Sequence, residues 1–104
     1  MQRLALVFLA LAFATPALAD GREACEAFAV KFLTAHGASL KSVKIDSDSL
    51  IINRFDDNVG SQRVSTEYVG WADAGWADST TRERFVCLDA GDATPVYFSF
   101  IPLN

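Results

Sequence analysis

Only two cysteines occur in the chain, Cys25 and Cys87, and they stand far apart in two segments of opposite character. Cys87 sits in Arg84-Phe85-Val86-Cys87-Leu88, a run that reads as a core β-strand. Its alternation sends Phe85 and Cys87 to one face and Val86 and Leu88 to the other, as in a strand at the centre of a sheet. Cys25 lies in an amphipathic run, so one bridge would fasten a leading helix to a late strand. Closing a loop of about 60 residues stabilises a fold by roughly 4 kcal/mol in the chain-entropy treatment. The alternative is a pair of buried thiols.

The first residues favour the bridge. Met1-Gln2-Arg3 is followed by an apolar run from Leu4 to Ala14 and then by Thr15-Pro16-Ala17-Leu18-Ala19. A basic start, an apolar stretch and small residues at Ala17 and Ala19 predict a secretory leader, residues 1–19, cut before Asp20. The apolar run is shorter than the roughly 20 residues that span a bilayer, which argues against a retained anchor. No cysteine follows the cut, so a lipid anchor is not expected. Export to an oxidising compartment makes Cys25–Cys87 a disulfide rather than a metal site or a redox pair. The periplasm or the extracellular space is the expected location.

Cleavage leaves 85 of the 104 residues, enough for one small domain over 20–104. Loss of Arg3 leaves eight basic and thirteen acidic side chains, with the basic ones scattered singly. That balance makes nucleic acid and anionic membrane poor partners.

From Asp20 to Gly37, Cys25, Phe28, Ala29, Phe32 and Leu33 follow the spacing of a helix with one buried face. Asp20 is the expected N-cap, Glu23 its capping-box partner and Gly37 the left-handed stop. The remainder reads as short strands over Leu40 to Ile45, Leu50 to Phe55, Gln62 to Trp71, the cysteine strand, and Val96 to Ile101. Asp46-Ser47-Asp48-Ser49, Asp56 to Gly60 and Asp89 to Asp92 are the expected turns. Pro95 and Pro102 mark the last strand as an edge. The predicted fold is α+β, with one N-terminal amphipathic helix packed on a four- to five-stranded antiparallel β-meander, held by one disulfide.

The most unusual stretch is Gly70-Trp71-Ala72-Asp73-Ala74-Gly75-Trp76-Ala77-Asp78, where Gly-Trp-Ala-Asp occurs twice and both tryptophans reside. A period of five fits neither helix nor strand, so the segment reads as a long hairpin loop. Tryptophan beside aspartate suits the gripping of a sugar ring or a partner's side chain, which makes Trp71, Asp73, Trp76 and Asp78 the candidate binding residues. The competing view folds the tryptophans back as lids over the sheet. Asp46, Asp48, Asp56 and Asp57 lack the glycine and distal glutamate of a calcium loop and read as turn caps. His36, the single histidine, fits the last helical turn, where the helix dipole favours a positive ring.

No nucleophile elbow, phosphate loop or metal-ligand spacing is visible, and no metal or other cofactor is expected. Three functions follow. The first is a non-catalytic binding module for a protein or glycan of the cell envelope. The others are an accessory subunit of an envelope complex and a small hydrolase using Asp73 or Asp78.

Overall fold

The computed structural model describes residues 16–103. The leader expected over 1–19 lies, for its first fifteen residues, outside the described residues. Helix α1 runs Pro16–Ala35 and five strands follow: β1 Leu40–Ile45, β2 Ile51–Val59, β3 Gln62–Trp76, β4 Thr80–Asp89 and β5 Pro95–Ile101. This is the α+β class, one helix on a five-stranded antiparallel sheet.

Strands β2, β3, β4 and β5 form a meander, while β1 departs from it. The first strand pairs with the far half of β3, Leu40 opposite Trp76 and Ile45 opposite Ala72, whereas β2 pairs with the near half, Ile51 opposite Val69. The two therefore lie end to end along one edge of β3. That makes β3, rather than the cysteine strand, the organising strand of the sheet. β4 lies beside it and carries β5 on its other side as an edge, as the flanking prolines require.

Where β1 gives way to β2, the ladder is interrupted and a serine fills the gap. Ser49 Oγ accepts the Trp71 N–H at 2.9 Å and donates to the Asp46 carbonyl at 2.8 Å. Asp46 N in turn donates to the Trp71 carbonyl at 2.9 Å. Backbone groups that a broken ladder would orphan are thus satisfied.

The helix buries Gly21, Cys25 and Ala29, spaced by four, with Phe28, Phe32 and Leu33 flanking them. Beneath it the sheet presents Val43, Ile45, Tyr68, Ala72, Ala74, Phe85, Cys87 and Phe98. Small residues face each other across this contact, so helix and sheet approach closely. Gly21 lies directly against the Tyr68 hydroxyl, where a Cβ would collide with it. Phe85 and Phe98 are fully buried and stack with centroids 5.6 Å apart. Burial of each contributes about 2–3 kcal/mol.

Cys25 and Cys87 are joined, with Cα atoms 6.2 Å apart and both residues wholly inaccessible. Glu26, one residue on, turns toward β1, where its Oε2 accepts the Ile45 N–H at 2.8 Å. Helix and sheet are therefore tied covalently at the centre and by a hydrogen bond at one margin. Gly37, at φ 96°, ends the helix as expected. In the full chain α1 begins at Pro16, ahead of the expected cleavage point. Proline at a helix start is favoured because its missing N–H is not needed there.

The second strand continues through Asp56-Asp57-Asn58 to Val59, and the turn is only Gly60-Ser61. A bulge between Arg54 and Asp57, with Asp56 at φ 54°, lets the acidic pair stay in the strand. The fourth strand begins at Thr80, four residues earlier than its apolar core suggested.

Candidate functional site

The double Gly-Trp-Ala-Asp segment is not a loop. Residues 70–76 form the second half of β3, with 72–76 paired to β1 on one side and 70–75 to β4 on the other. Its five-residue period conceals a period of two. Gly70, Ala72, Ala74 and Trp76 face the helix, and Trp71, Asp73 and Gly75 face away, because successive strand residues alternate. Two tryptophans five apart must then lie on opposite faces of the sheet.

Trp76 belongs to the margin of the core. Its ring sits 6.2 Å from Phe100 and its Nε1 donates to Thr81 Oγ1 at 2.8 Å. Asp78 follows in an exposed bend beyond the end of β3. Trp71 and Asp73 are together on the other face. The structure thus brings two of the four candidate residues into one place and separates Trp76 and Asp78 from them.

Both glycines of the repeat have structural work. A Cβ on Gly70, at φ +157°, would lie 2.9 Å from the Ser49 carbonyl oxygen and 2.9 Å from its hydroxyl. A Cβ on Gly75 would meet the Ser42 hydroxyl. Each glycine makes room for a serine on the neighbouring strand or turn.

Around Trp71 lies a cluster that the sequence did not reveal. The Arg82 guanidinium rests over the Trp71 ring, 5.4 Å from its centroid. It donates to Asp46 Oδ2 at 2.7 Å and lies 3.7 Å from Asp73 Oδ1. The Arg82 hydrogen bond, with a second from the Asp48 N–H, holds the Asp46 carboxyl below its ordinary value of 3.8. The same bond raises Arg82. Arg82 therefore ties the β1–β2 turn across β3 to β4. Its alternation with Arg84, Val86 and Leu88 was the available signal, concealed by treating the strand as starting at Arg84.

Cross-strand pairing completes this face. Ile51 stands beside Val69, which stands beside Val86; Trp71 stands beside Arg84, which stands beside Ile101. Asn53, Glu67 and Leu88 form the row on one side, where Tyr97 at the β5 edge sends its ring to Phe32 of the helix, 5.6 Å between centroids, and Lys44, Asp73 and Arg82 form the row on the other. The helix packs on the opposite face, and among the described residues no second layer covers this one. It is an apolar centre ringed by polar and charged side chains.

The remaining polar candidates serve the fold. Asp57 accepts the Asn58 N–H at 2.7 Å and Asp56 pairs with Arg63. His36 is exposed just past the helix end, where Nδ1 approaches the Phe32 carbonyl at 2.7 Å. Among the described residues Asp89 is the buried charged one, 2% exposed, and its Oδ1 accepts the Gly91 N–H. Its Oδ2 has no hydrogen-bond partner among the described residues. Burial, and then the Asp89 charge, push the Tyr68 phenol above 10.0.

A groove of about 520 Å³ is lined by Val59, Gln62, Val64, Leu88, Val96 and Tyr97. It holds few polar groups to orient a ligand. Leu88 and Tyr97 connect it to the row beside Glu67.

Comparison with protein-family models, with curated proteins and with solved structures returned no match.

Proposed function

We propose that this chain is a small exported interaction module, non-catalytic, whose working surface is the sheet face opposite the helix. The observation that carries the reading is the composition of that face. It combines a tryptophan with arginine beside and over it, half-buried aliphatic side chains at the centre and a polar rim, on a sheet whose other face the helix covers. Trp and Arg are the residues in which binding energy concentrates, and an apolar centre with a polar rim is the usual anatomy of a protein contact. Trp71 and Asp73 act here, and Trp76 and Asp78 do not. The partner is a protein or glycan of the cell envelope, reached in the periplasm or outside the cell. The leader read in residues 1–19 and the buried disulfide support that placement.

The test is affinity capture from native envelope extract with three forms of the oxidised protein. Wild type and Trp76→Ala are expected to retain a common partner, and Trp71→Ala to lose it. Equal capture by all three, or loss with Trp76→Ala alone, would refute the assignment.

The accessory-subunit reading uses the free edge of β2, where Ile51 is 57% and Val59 47% exposed. The bulge at Phe55-Asp56 and the charges of Arg54, Asp56 and Asp57 blunt that edge against strand addition. The face is the better surface.

A further inference from the structure

We infer that the uncovered sheet face is occupied by the same face of a second copy of this chain, held by two reciprocal contacts between Glu67 of one copy and Arg84 of the other. The inference rests on the reading of that face as an interaction surface and names what covers it.

The argument is one of charge layout. Six charged side chains surround the apolar centre: Lys44, Asp46, Glu67, Asp73, Arg82 and Arg84. Three are positive and three negative, so the patch is neutral although the whole chain carries −4. A strongly charged partner has nothing to answer there, whereas a second identical patch meets no net repulsion. Arg82 is already neutralised by Asp46 and Asp73. Lys44, Glu67 and Arg84 have no ion-pair partner among the described residues, and Lys44 stands opposite the Asp73 carboxylate in the ladder. Glu67 receives only the Asn53 amide, on Oε1 at 3.0 Å.

Of these three charges, Glu67 and Arg84 lie on opposite sides of the row of Val69 and Val86. Glu67 precedes Val69 and Trp71 on one face of β3, and Arg84 lies across from Trp71 on β4. Four residues of strand separate their rows by about 13 Å, and one strand spacing of about 4.8 Å offsets them sideways. They do not pair within one copy. A two-fold axis between facing sheets, crossing the strands at the level of Val69 and Val86, lays the row of Glu67 against the row of Arg84 from the other copy. The sideways offset corresponds to a crossing of roughly 30–40°, close to that of aligned packed sheets. The pairing then occurs twice, with Ile51, Val69, Trp71, Val86 and Ile101 closing between the copies.

The face from Glu67 to Asp73 is about 20 Å long and four strands wide, so each copy contributes on the order of 400 Å². That lies in the range of weak, reversible contacts, and a dissociation constant no tighter than micromolar is expected.

Sedimentation equilibrium of the oxidised, leaderless chain, from about 5 µM to 1 mM, tests the inference. Wild type is expected to shift from monomer to dimer with concentration. Arg84→Glu and Glu67→Arg, both surface changes, are each expected to weaken the dimer about tenfold or more while leaving the thermal midpoint of the monomer unchanged. An equimolar mixture of the two variants is expected to regain a dimer within about threefold of wild type, because each then supplies the charge the other lacks. A wild type that stays monomeric to 1 mM, or a mixture no tighter than its components, overturns the inference. A monomer that still captures an envelope partner through Trp71 overturns only this inference and leaves the interaction-module reading intact.

Discussion

Replacing Gly70 and Gly75 separately by alanine tests whether the repeated motif is structural, because the same change in two copies of one motif has different consequences. At Gly70 the new Cβ lies 2.9 Å from a backbone carbonyl, that of Ser49, in the turn whose hydroxyl repairs the ladder. Neither partner is the free end of a flexible chain. The φ of +157° adds backbone strain for any residue bearing a Cβ. Strain of about 1–3 kcal/mol and displacement of packed backbone of about 1–3 kcal/mol together give a loss of about 2–6 kcal/mol. For a domain of this size that lowers the thermal midpoint by roughly 10–45 °C. At Gly75 the new Cβ meets only the hydroxyl of Ser42, which is exposed and free to rotate away, and less than about 1 kcal/mol is expected. Thermal unfolding followed by far-UV circular dichroism, with the disulfide intact, reads both. Ser42→Ala should abolish the small Gly75 penalty, and Ser49→Ala should not rescue Gly70→Ala, since the carbonyl remains. Equal losses at the two glycines, or full rescue by Ser49→Ala, would refute the reasoning.

Breaking the Cys25–Cys87 bond, which closes a separation of 62 residues, is expected to cost about 4 kcal/mol, read as the shift in urea midpoint between the oxidised protein and a Cys25→Ala, Cys87→Ala variant. A loss below about 1 kcal/mol would contradict it. Trp76→Ala is expected to destabilise by about 2–4 kcal/mol and Trp71→Ala by about 1 kcal/mol, because Trp76 alone packs against the core cluster; the reverse order would mean the faces are misassigned. Asp46 has its folded value depressed below 3.8, so its contribution is fully present above that value and is lost as pH falls through the lower folded value. Urea midpoints measured from about pH 5 down to pH 2.5 should therefore fall more steeply in wild type than in Arg82→Gln, and parallel curves would show that Arg82 does not hold the Asp46 carboxyl.

The helix, its stop at Gly37 and the partnership of Cys25 with Cys87 were legible because each is written locally, in spacing, in a left-handed glycine and in the count of cysteines. In the full chain the helix runs back to Pro16, four residues ahead of Asp20. The acidic run Asp56-Asp57-Asn58 has turn composition, yet it stays in β2 because a bulge with one left-handed residue absorbs it. That misreading comes from composition outvoting the hydrogen-bond ladder, which sequence does not display.

The double tryptophan motif shows the boundary between the two kinds of information most clearly. Its residues alone determine that aromatic, acidic and very small side chains alternate within a few positions of one another. Whether they form a loop or a strand depends on what lies alongside: β1 and β4 pair with both edges of residues 72–75, and the helix above requires Ala72 and Ala74 to be small. Once that strand exists, a spacing of five places the tryptophans on opposite faces, and the tertiary packing assigns Trp76 to the core margin and Trp71 to the uncovered face. Pattern along the chain determines which residues can share a face. The partners across the sheet, distant in sequence, decide which face is buried beneath the helix and which stays uncovered.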